Sequence, residues 1–69
     1  MPYITVEGGV LTDEQKELLI QKLTETASEI MKVPPEFFMT TIKELPDKNI
    51  GIGGKTIDIV KAEYMEKHK

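Results

Sequence analysis

The sequence predicts a small α/β (α+β) protein with one β-α-β unit, a C-terminal glycine-rich hairpin or arm and a short helical tail. Two short runs of β-branched and aromatic residues flank one long segment of helical periodicity. The helix between them has about 20 residues, a crossover that suits parallel strands and should be right-handed. The 69 residues allow one domain, residues 1–69.

Residues 2–7 predict the first strand, with Ile4 and Val6 on one face and Tyr3 and Thr5 on the other. The glycines at positions 8 and 9 end it.

Thr12 and Gln15 then form a capping box, which predicts a helix that continues to about Lys32. The apolar positions at helical spacing are Leu19, Leu23, Ala27 and Ile30, widened by Ile20 and Met31. Pro34 and Pro35 end the helix, because the residue before a proline is pushed out of the helical region.

Residues 38–45 alternate as a second strand, and the turn at 46–49 stops it. Residues 50–54 are too rich in glycine for a strand interior and predict a short hairpin or an arm that crosses another backbone. The tail is weakly helical from Ile57 and is expected to fray over residues 66–69.

Two parallel strands with one helix leave the other sheet face bare, whereas parallel sheets are normally covered on both faces. A chain of this length also has a marginal core, and cysteine is absent. We therefore expect copies of the chain to cover one another, with the arm at 50–54 at a subunit contact.

Composition excludes several function classes. The net charge of −3 argues against nucleic-acid binding, and no apolar run is long enough for a membrane span. Without cysteine there is no thiolate metal site, and the only histidine, His68, is interpreted as a solvated tail residue. We expect a cytoplasmic protein without cofactor or metal, whose nine cations are all lysines.

The glycine-rich segment fails two nucleotide-binding patterns. Gly54-Lys55-Thr56 resembles the end of a P-loop, but the glycine required five residues before Gly54 is replaced by Asn49. Thr56 occupies the third glycine position of the dinucleotide fingerprint that Gly51 and Gly53 would begin. A hairpin is the better interpretation.

Pro2 is the candidate catalytic residue. Removal of Met1, expected because proline is small, would leave a secondary amine at the start of a strand. An α-amino group titrates near about 7.7–8.0, and partial burial in an apolar pocket lowers its pKa toward that of a competent general base. The alternative is that Pro2 only begins an edge strand, where its missing N–H costs nothing.

Four segments together resemble the 4-oxalocrotonate tautomerase (2-hydroxymuconate tautomerase) family, over almost the whole chain from Pro2 to about Val60. They are Pro2-Tyr-Ile-Thr-Val, Thr12-Asp-Glu-Gln-Lys-Glu-Leu-Leu-Ile, Val33-Pro34-Pro35 and Ile50-Gly-Ile-Gly-Gly54. The resemblance implies a β-α-β subunit in a homohexamer, a trimer of dimers, with the amino-terminal proline as the base that moves a proton between carbon and an enol oxygen.

The chain departs from the family at three substrate-binding positions. Leu11 and Met39 stand where the best-known members have arginines that bind a dicarboxylate, and Ile50 stands where they have phenylalanine. By resemblance these three remain pocket positions. Lys43, on the strand face of Met39, could supply a charge, as could Lys48 or Lys55 from a neighbouring subunit.

The resulting hypothesis is a tautomerase that acts on a small enol or 2-keto acid, smaller or less charged than 2-hydroxymuconate. Two alternatives stay open. The same amine could serve a hydratase or dehalogenase, or the chain could be an oligomeric homologue with impaired catalysis.

Overall fold

The computed structural model describes residues 1–68 and contains four strands and two α-helices in this part of the chain. In order they are β1 (Tyr3–Gly8), α1 (Asp13–Met31), β2 (Met39–Glu44), β3 (Gly51–Ile52), β4 (Lys55–Thr56) and α2 (Ile57–Lys67). Short 3-10 turns at Pro35–Phe37 and Asp47–Asn49 precede β2 and β3. The predicted β-α-β unit, hairpin and helical tail are confirmed.

β1 and β2 pair in parallel, as the long crossover predicts. Their register runs from Tyr3 opposite Met39 to Gly8 opposite Glu44. Both strands therefore begin at one end of the sheet and finish at the other end. The first and last residues of each strand are about 17 Å apart. β2 begins one residue later than predicted, because the Phe38 N–H donates to the Pro35 carbonyl at 3.0 Å rather than to the sheet.

The capping box that starts α1 is present as predicted. The Thr12 hydroxyl accepts from the Gln15 N–H at 3.1 Å, and the Gln15 side chain accepts from the Thr12 N–H at 2.9 Å. At the other end, Lys32 adopts a left-handed conformation (φ 60°) and its N–H donates to the Ser28 carbonyl. Local signals thus define both ends of the helix.

α1 lies against one face of the sheet, and the Thr24 and Thr40 hydroxyls form a hydrogen bond of 2.9 Å between them. Leu19 and Leu23 are half-buried on this side, but Ile30 is 74% exposed. Ile30, which has the same helical spacing, is therefore not covered by the sheet of its own chain. α1 has 19 residues, about 28 Å, and overhangs a six-residue strand of about 20 Å.

The C-terminal lobe consists of the Asp47–Asn49 turn, β3, β4 and α2, which pack mainly against one another. β3 and β4 form an antiparallel hairpin. Its turn requires glycine, because Gly53 and Gly54 have φ values of 61° and 85°. α2 continues to Lys67, so residues 66 and 67 are helical where fraying was predicted, and the last residue of that prediction, Lys69, lies outside the described residues.

Much of the apolar surface of the single chain is open. No hydrophobic side chain within residues 1–68 is fully buried, and the chain measures 44 × 23 × 21 Å. The sheet face opposite α1 carries the exposed members of both strands. This is the surface expected of a subunit that copies of itself cover. No helix in residues 1–68 is long and apolar enough to cross a membrane.

Candidate functional site

Pro2 lies at the end of the sheet where both strands begin. It directly precedes β1, and its carbonyl accepts a hydrogen bond of 3.1 Å from the Met39 N–H at the start of β2. The Pro2 side chain is half-buried. The structure thus brings together two of the residues selected from the sequence, Pro2 and Met39.

The open face of the sheet changes in character along its length. Its first row is apolar, with Tyr3 opposite Met39, and its second row pairs two threonines. The last row pairs Glu7 with Lys43, whose side chains approach to 3.7 Å. Lys43 is therefore about 13 Å along β2 from Met39 and lies beside a carboxylate, away from Pro2.

Leu11 lies at the opposite end of the sheet, where the strands finish. Its N–H donates to Glu44 Oε2 at 2.9 Å, and Lys16 Nζ donates to Glu44 Oε1 at 3.1 Å. The Leu11 N–H and the Lys16 ammonium hold the pKa of the Glu44 carboxyl below its usual range. Hydrogen bonds to Glu44 and Asp13 raise the pKa of Lys16 in turn. Glu44 thereby ties the end of β2 to the segment that enters α1.

A groove of about 410 Å³ runs along α1 from Leu11. Its lining residues are Leu11, Gln15, Leu18, Leu19 and Lys22. The groove is apolar along most of its length, with Leu18 54% exposed, and its one cation is Lys22, which lies 3.8 Å from Glu25. Leu11 therefore belongs to an open apolar surface that the sheet of its own subunit leaves uncovered.

Ile50 belongs to the C-terminal lobe, where its carbonyl accepts from the Ile57 N–H at 2.9 Å. The lobe follows the end of β2, and Asp47 in its first turn lies beside Gly9, so Ile50 and Leu11 both lie toward the end of the sheet opposite Pro2 and Met39. A pocket that contained all four residues would take them from more than one subunit.

The lysines suggested as replacements for the missing cations have partners or neighbours in their own chain. Lys55 Nζ contacts both oxygens of Glu63, at 2.7 and 3.0 Å, and holds the pKa of that carboxyl below its usual range. The Thr56 hydroxyl lowers the pKa of Asp58, with a smaller contribution from the charge of Lys48. Lys55 is the more fully neutralised of these two.

The structural role of Glu44 is not evident from the sequence patterns. The contact with Leu11 spans 33 residues, so no local motif reports it. One signal was available: alternation puts Glu44 on the inward side of β2 with Thr40 and Ile42, where a carboxylate needs a partner.

Comparison with known proteins gives consistent matches. A family model described as "Tautomerase enzyme" matches residues 2–58. A probable tautomerase of Bacillus cereus is 38% identical over 60 residues, covering 83% of this chain and 95% of that protein. A 2-hydroxymuconate tautomerase of a Pseudomonas species is 40% identical over 50 residues, covering 72% of this chain and 76% of that protein.

Solved structures match as well. The crystal structure of apo unfused 4-OT superposes with a TM-score of 0.81 at 37% identity, covering 86% of this chain and 98% of that chain. The sequence matches and the structural match are therefore all to tautomerases.

Proposed function

The chain belongs to the 4-oxalocrotonate tautomerase family of the tautomerase superfamily, and from this premise we propose that Pro2, freed by removal of Met1, is the general base of a keto–enol isomerase. The protein is an isomerase of this family's type. Its substrate is a small enol or 2-keto acid. Because the relatives described above are tautomerases, isomerisation is proposed rather than hydration or dehalogenation.

The observation that carries the proposal is the position of Pro2. The residue is half-buried at the end of the sheet where both strands begin, beside the exposed side chains of Tyr3 and Met39. Apolar neighbours disfavour the charged form of an amine, which favours the neutral form that accepts a proton. The hydrogen bond from Met39 to the Pro2 carbonyl fixes the residue while leaving its nitrogen outside the sheet ladder.

In the proposed reaction, the neutral amine of Pro2 removes the proton from the enol hydroxyl. The oxygen becomes the carbonyl oxygen, and the electrons of the carbon–carbon double bond form a bond to a proton that the Pro2 ammonium returns at carbon. Substrate and product are isomers, so the amine ends the cycle neutral. Backbone N–H groups polarise the oxygen as its charge changes.

The proposed active form is a homohexamer in which neighbouring subunits bring Leu11 and Ile50 to Pro2. Three features support assembly: the bare sheet face, the groove beside Leu11 and the C-terminal lobe that packs mainly on itself. Each leaves apolar surface that one subunit does not cover, and association removes such surface from water.

The test compares two chains whose purified masses show whether Met1 is present. In the variant, one lysine inserted between Met1 and Pro2 blocks methionine removal and keeps the Pro2 nitrogen in an amide. We expect the processed chain to ketonise enols and the variant to lose about 10²–10⁴-fold in kcat/KM, the usual contribution of a general base.

The control for the insertion carries its extra lysine after the last residue and should retain full activity. Equal activity of the chains with a free and a blocked Pro2 nitrogen would eliminate the amine as the base.

A further inference from the structure

We propose that Glu44 is a positioning residue: through the backbone of Leu11, it holds the Leu11 side chain in place for the Pro2 of a neighbouring chain. The inference rests on the proposed function, which brings Leu11 to that Pro2, and it adds the residue on which the position of Leu11 depends. Two observations carry it: the few contacts of the segment around Leu11, and the geometry of the Glu44 carboxylate.

Residues 9–12 join β1 to α1 and belong to neither a strand nor a helix. Val10 in the middle of this segment is 73% exposed, and the capping bonds between Thr12 and Gln15 stay within the start of α1. Among the hydrogen bonds of residues 9–12 in the described part of the chain, only the one from the Leu11 N–H reaches the sheet. The position of this segment relative to the sheet therefore depends on the acceptor of that bond.

The Glu44 carboxylate is held so that one of its oxygens meets this N–H. Glu44 ends β2, and its side chain lies on the half-buried side of the strand. Its Oε2 accepts from the Leu11 N–H at 2.9 Å, and its Oε1 accepts from Lys16 Nζ at 3.1 Å. Lys16 in turn lies 3.3 Å from Asp13. Because different residues of the α1 entry engage the two oxygens, the carboxylate is fixed in one orientation.

Leu11 has no polar atom in its side chain, so it would act on a substrate by shape, as an apolar wall. A wall that contacts the substrate equally before and during proton transfer contributes to KM rather than to kcat. A displaced Leu11 should therefore weaken substrate binding at the neighbouring Pro2. A variant that only destabilises the chain instead lowers the number of intact sites, which lowers the apparent kcat at an unchanged KM.

The first test is a matched pair of variants at Glu44. Glu44→Asp keeps the negative charge but is one methylene shorter, which withdraws the oxygen from the Leu11 N–H. Glu44→Gln keeps the length and an oxygen that accepts this bond, but it loses the charge that pairs with Lys16. We expect Glu44→Asp to raise KM by about fivefold or more with kcat close to that of the parent, and Glu44→Gln to raise KM by less than about twofold.

Glu17→Gln, on the exposed side of α1, is the control for this pair and should leave both kinetic constants unchanged. A KM that rises as much in Glu44→Gln as in Glu44→Asp would show that the reach of the side chain to Leu11 does not matter. A lower kcat at an unchanged KM in both variants would show that Glu44 only stabilises the chain. Either result would overturn the proposal.

The second test asks whether Glu44 acts on a neighbouring chain. One chain carries Glu44→Asp and a free Pro2, and the other has an intact Glu44 and the inserted lysine that blocks Pro2. The two are mixed in equal amounts in urea and refolded together, so that they combine at random. About half of the sites then have a free Pro2, and about half of these face an intact Glu44, so we expect a component with the parent KM and about a quarter of the parent kcat.

The control mixture replaces the second chain by one that carries both the inserted lysine and Glu44→Asp, and it should show no such component. Absence of the component from the first mixture would overturn the proposal, because Glu44 would then act only within its own chain. Turnover that survives the inserted lysine would refute the proposed function, and this inference with it. Turnover that the insertion abolishes, with a KM that does not depend on Glu44, would refute this inference alone.

Discussion

Strand register determines which side chains surround Pro2. Because β1 and β2 are parallel and begin together, Tyr3 and Met39 are the neighbours of Pro2. The Glu7–Lys43 pair lies toward the far end of the sheet. A shift of one residue would turn each strand's side chains to the other face. The chemistry at the candidate site therefore depends on pairing as much as on residue type.

Met39→Arg should restore binding of a dianion. The new guanidinium would lie beside Pro2 and could donate charge-assisted hydrogen bonds worth about 1.5–3 kcal/mol. We expect kcat/KM for an enol with two carboxylates to rise about tenfold or more, with little change for an enol with one carboxylate. Met39→Leu is the control that changes shape without charge.

Leu11→Arg tests whether a neighbouring chain contributes to the site, because Leu11 lies at the end of its own sheet opposite Pro2. A gain of dianion turnover in this variant would support the contribution of Leu11 from a neighbouring subunit. Arginine variants at both positions that improved nothing would refute the placement of the pocket and leave the role of Pro2 intact.

Glu44 should contribute stability that depends on pH. Its carboxyl has a lowered pKa in the folded chain, so its contribution is complete above the ordinary value of 4.5 and is lost as the pH falls through the lowered pKa. We expect Glu44→Gln to reduce the free energy of unfolding at neutral pH, and this reduction to shrink as the pH falls below 4.5 and through the lowered pKa.

The measurement is urea unfolding at fixed protein concentration, since assembly makes apparent stability depend on concentration. Glu17→Gln, on the exposed side of α1, removes a carboxylate without the Leu11 and Lys16 contacts. A pH-independent effect of Glu44→Gln, or one matched by Glu17→Gln, would contradict the role assigned to Glu44.

At the level of elements, the sequence predicts what local interactions decide. The capping box at Thr12, the proline break and the glycine turn are short-range signals, and the structure has all three. The exposure of Ile30 and the fixing of Leu11 by Glu44 depend on where the sheet ends relative to α1. Periodicity does not report the relative lengths of packed elements, so these features were not predictable from it.

The Thr24–Thr40 hydrogen bond joins α1 to β2 and allows a test of their packing. Thr24→Val should cost about 1 kcal/mol, because Thr40 keeps a half-buried hydroxyl without this partner. The double variant Thr24→Val/Thr40→Val should recover most of that loss, since replacing both partners by apolar groups of the same shape is nearly neutral. Unfolding of the parent chain, Thr24→Val, Thr40→Val and the double variant gives the coupling free energy between the two side chains. Additive losses would argue against the hydrogen bond.

At the level of the whole molecule, the bare sheet face and the separate C-terminal lobe indicate a subunit of an assembly. Length and topology predict that need for cover, but they do not distinguish a dimer, a trimer or a hexamer. That choice comes from the family resemblance. The substrate follows neither from fold nor from family, because the chain departs from the family pattern at the three positions that the resemblance assigns to the pocket, Leu11, Met39 and Ile50.

Assembly can be tested at Ile52, which is 60% exposed on the hairpin. Ile52→Lys should shift the sedimenting species to smaller mass and lower stability together, because a buried lysine is costly at a contact. Asn49→Lys adds the same charge nearby and should leave the assembly intact. Ile42→Lys, on the side of β2 that faces α1, should impair folding as well as assembly.

A parent chain that stays folded as a 7.8 kDa monomer at micromolar concentration would contradict the proposed hexamer. In that case Leu11 and Ile50, which we propose as pocket residues, could not be brought to Pro2 by a neighbouring chain.

The role of Pro2 as the base is tested by the kcat/KM of Pro2→Ala, measured on the enol that the parent chain turns over fastest, with the sedimentation profile recorded in parallel. Alanine keeps an amino terminus after methionine removal but makes it a primary amine of different basicity and geometry. We expect a loss of about 10²–10⁴-fold with an unchanged sedimentation profile, and a parent activity that rises with pH through the pKa of the proline amine. A Pro2→Ala chain as active as its parent would contradict it.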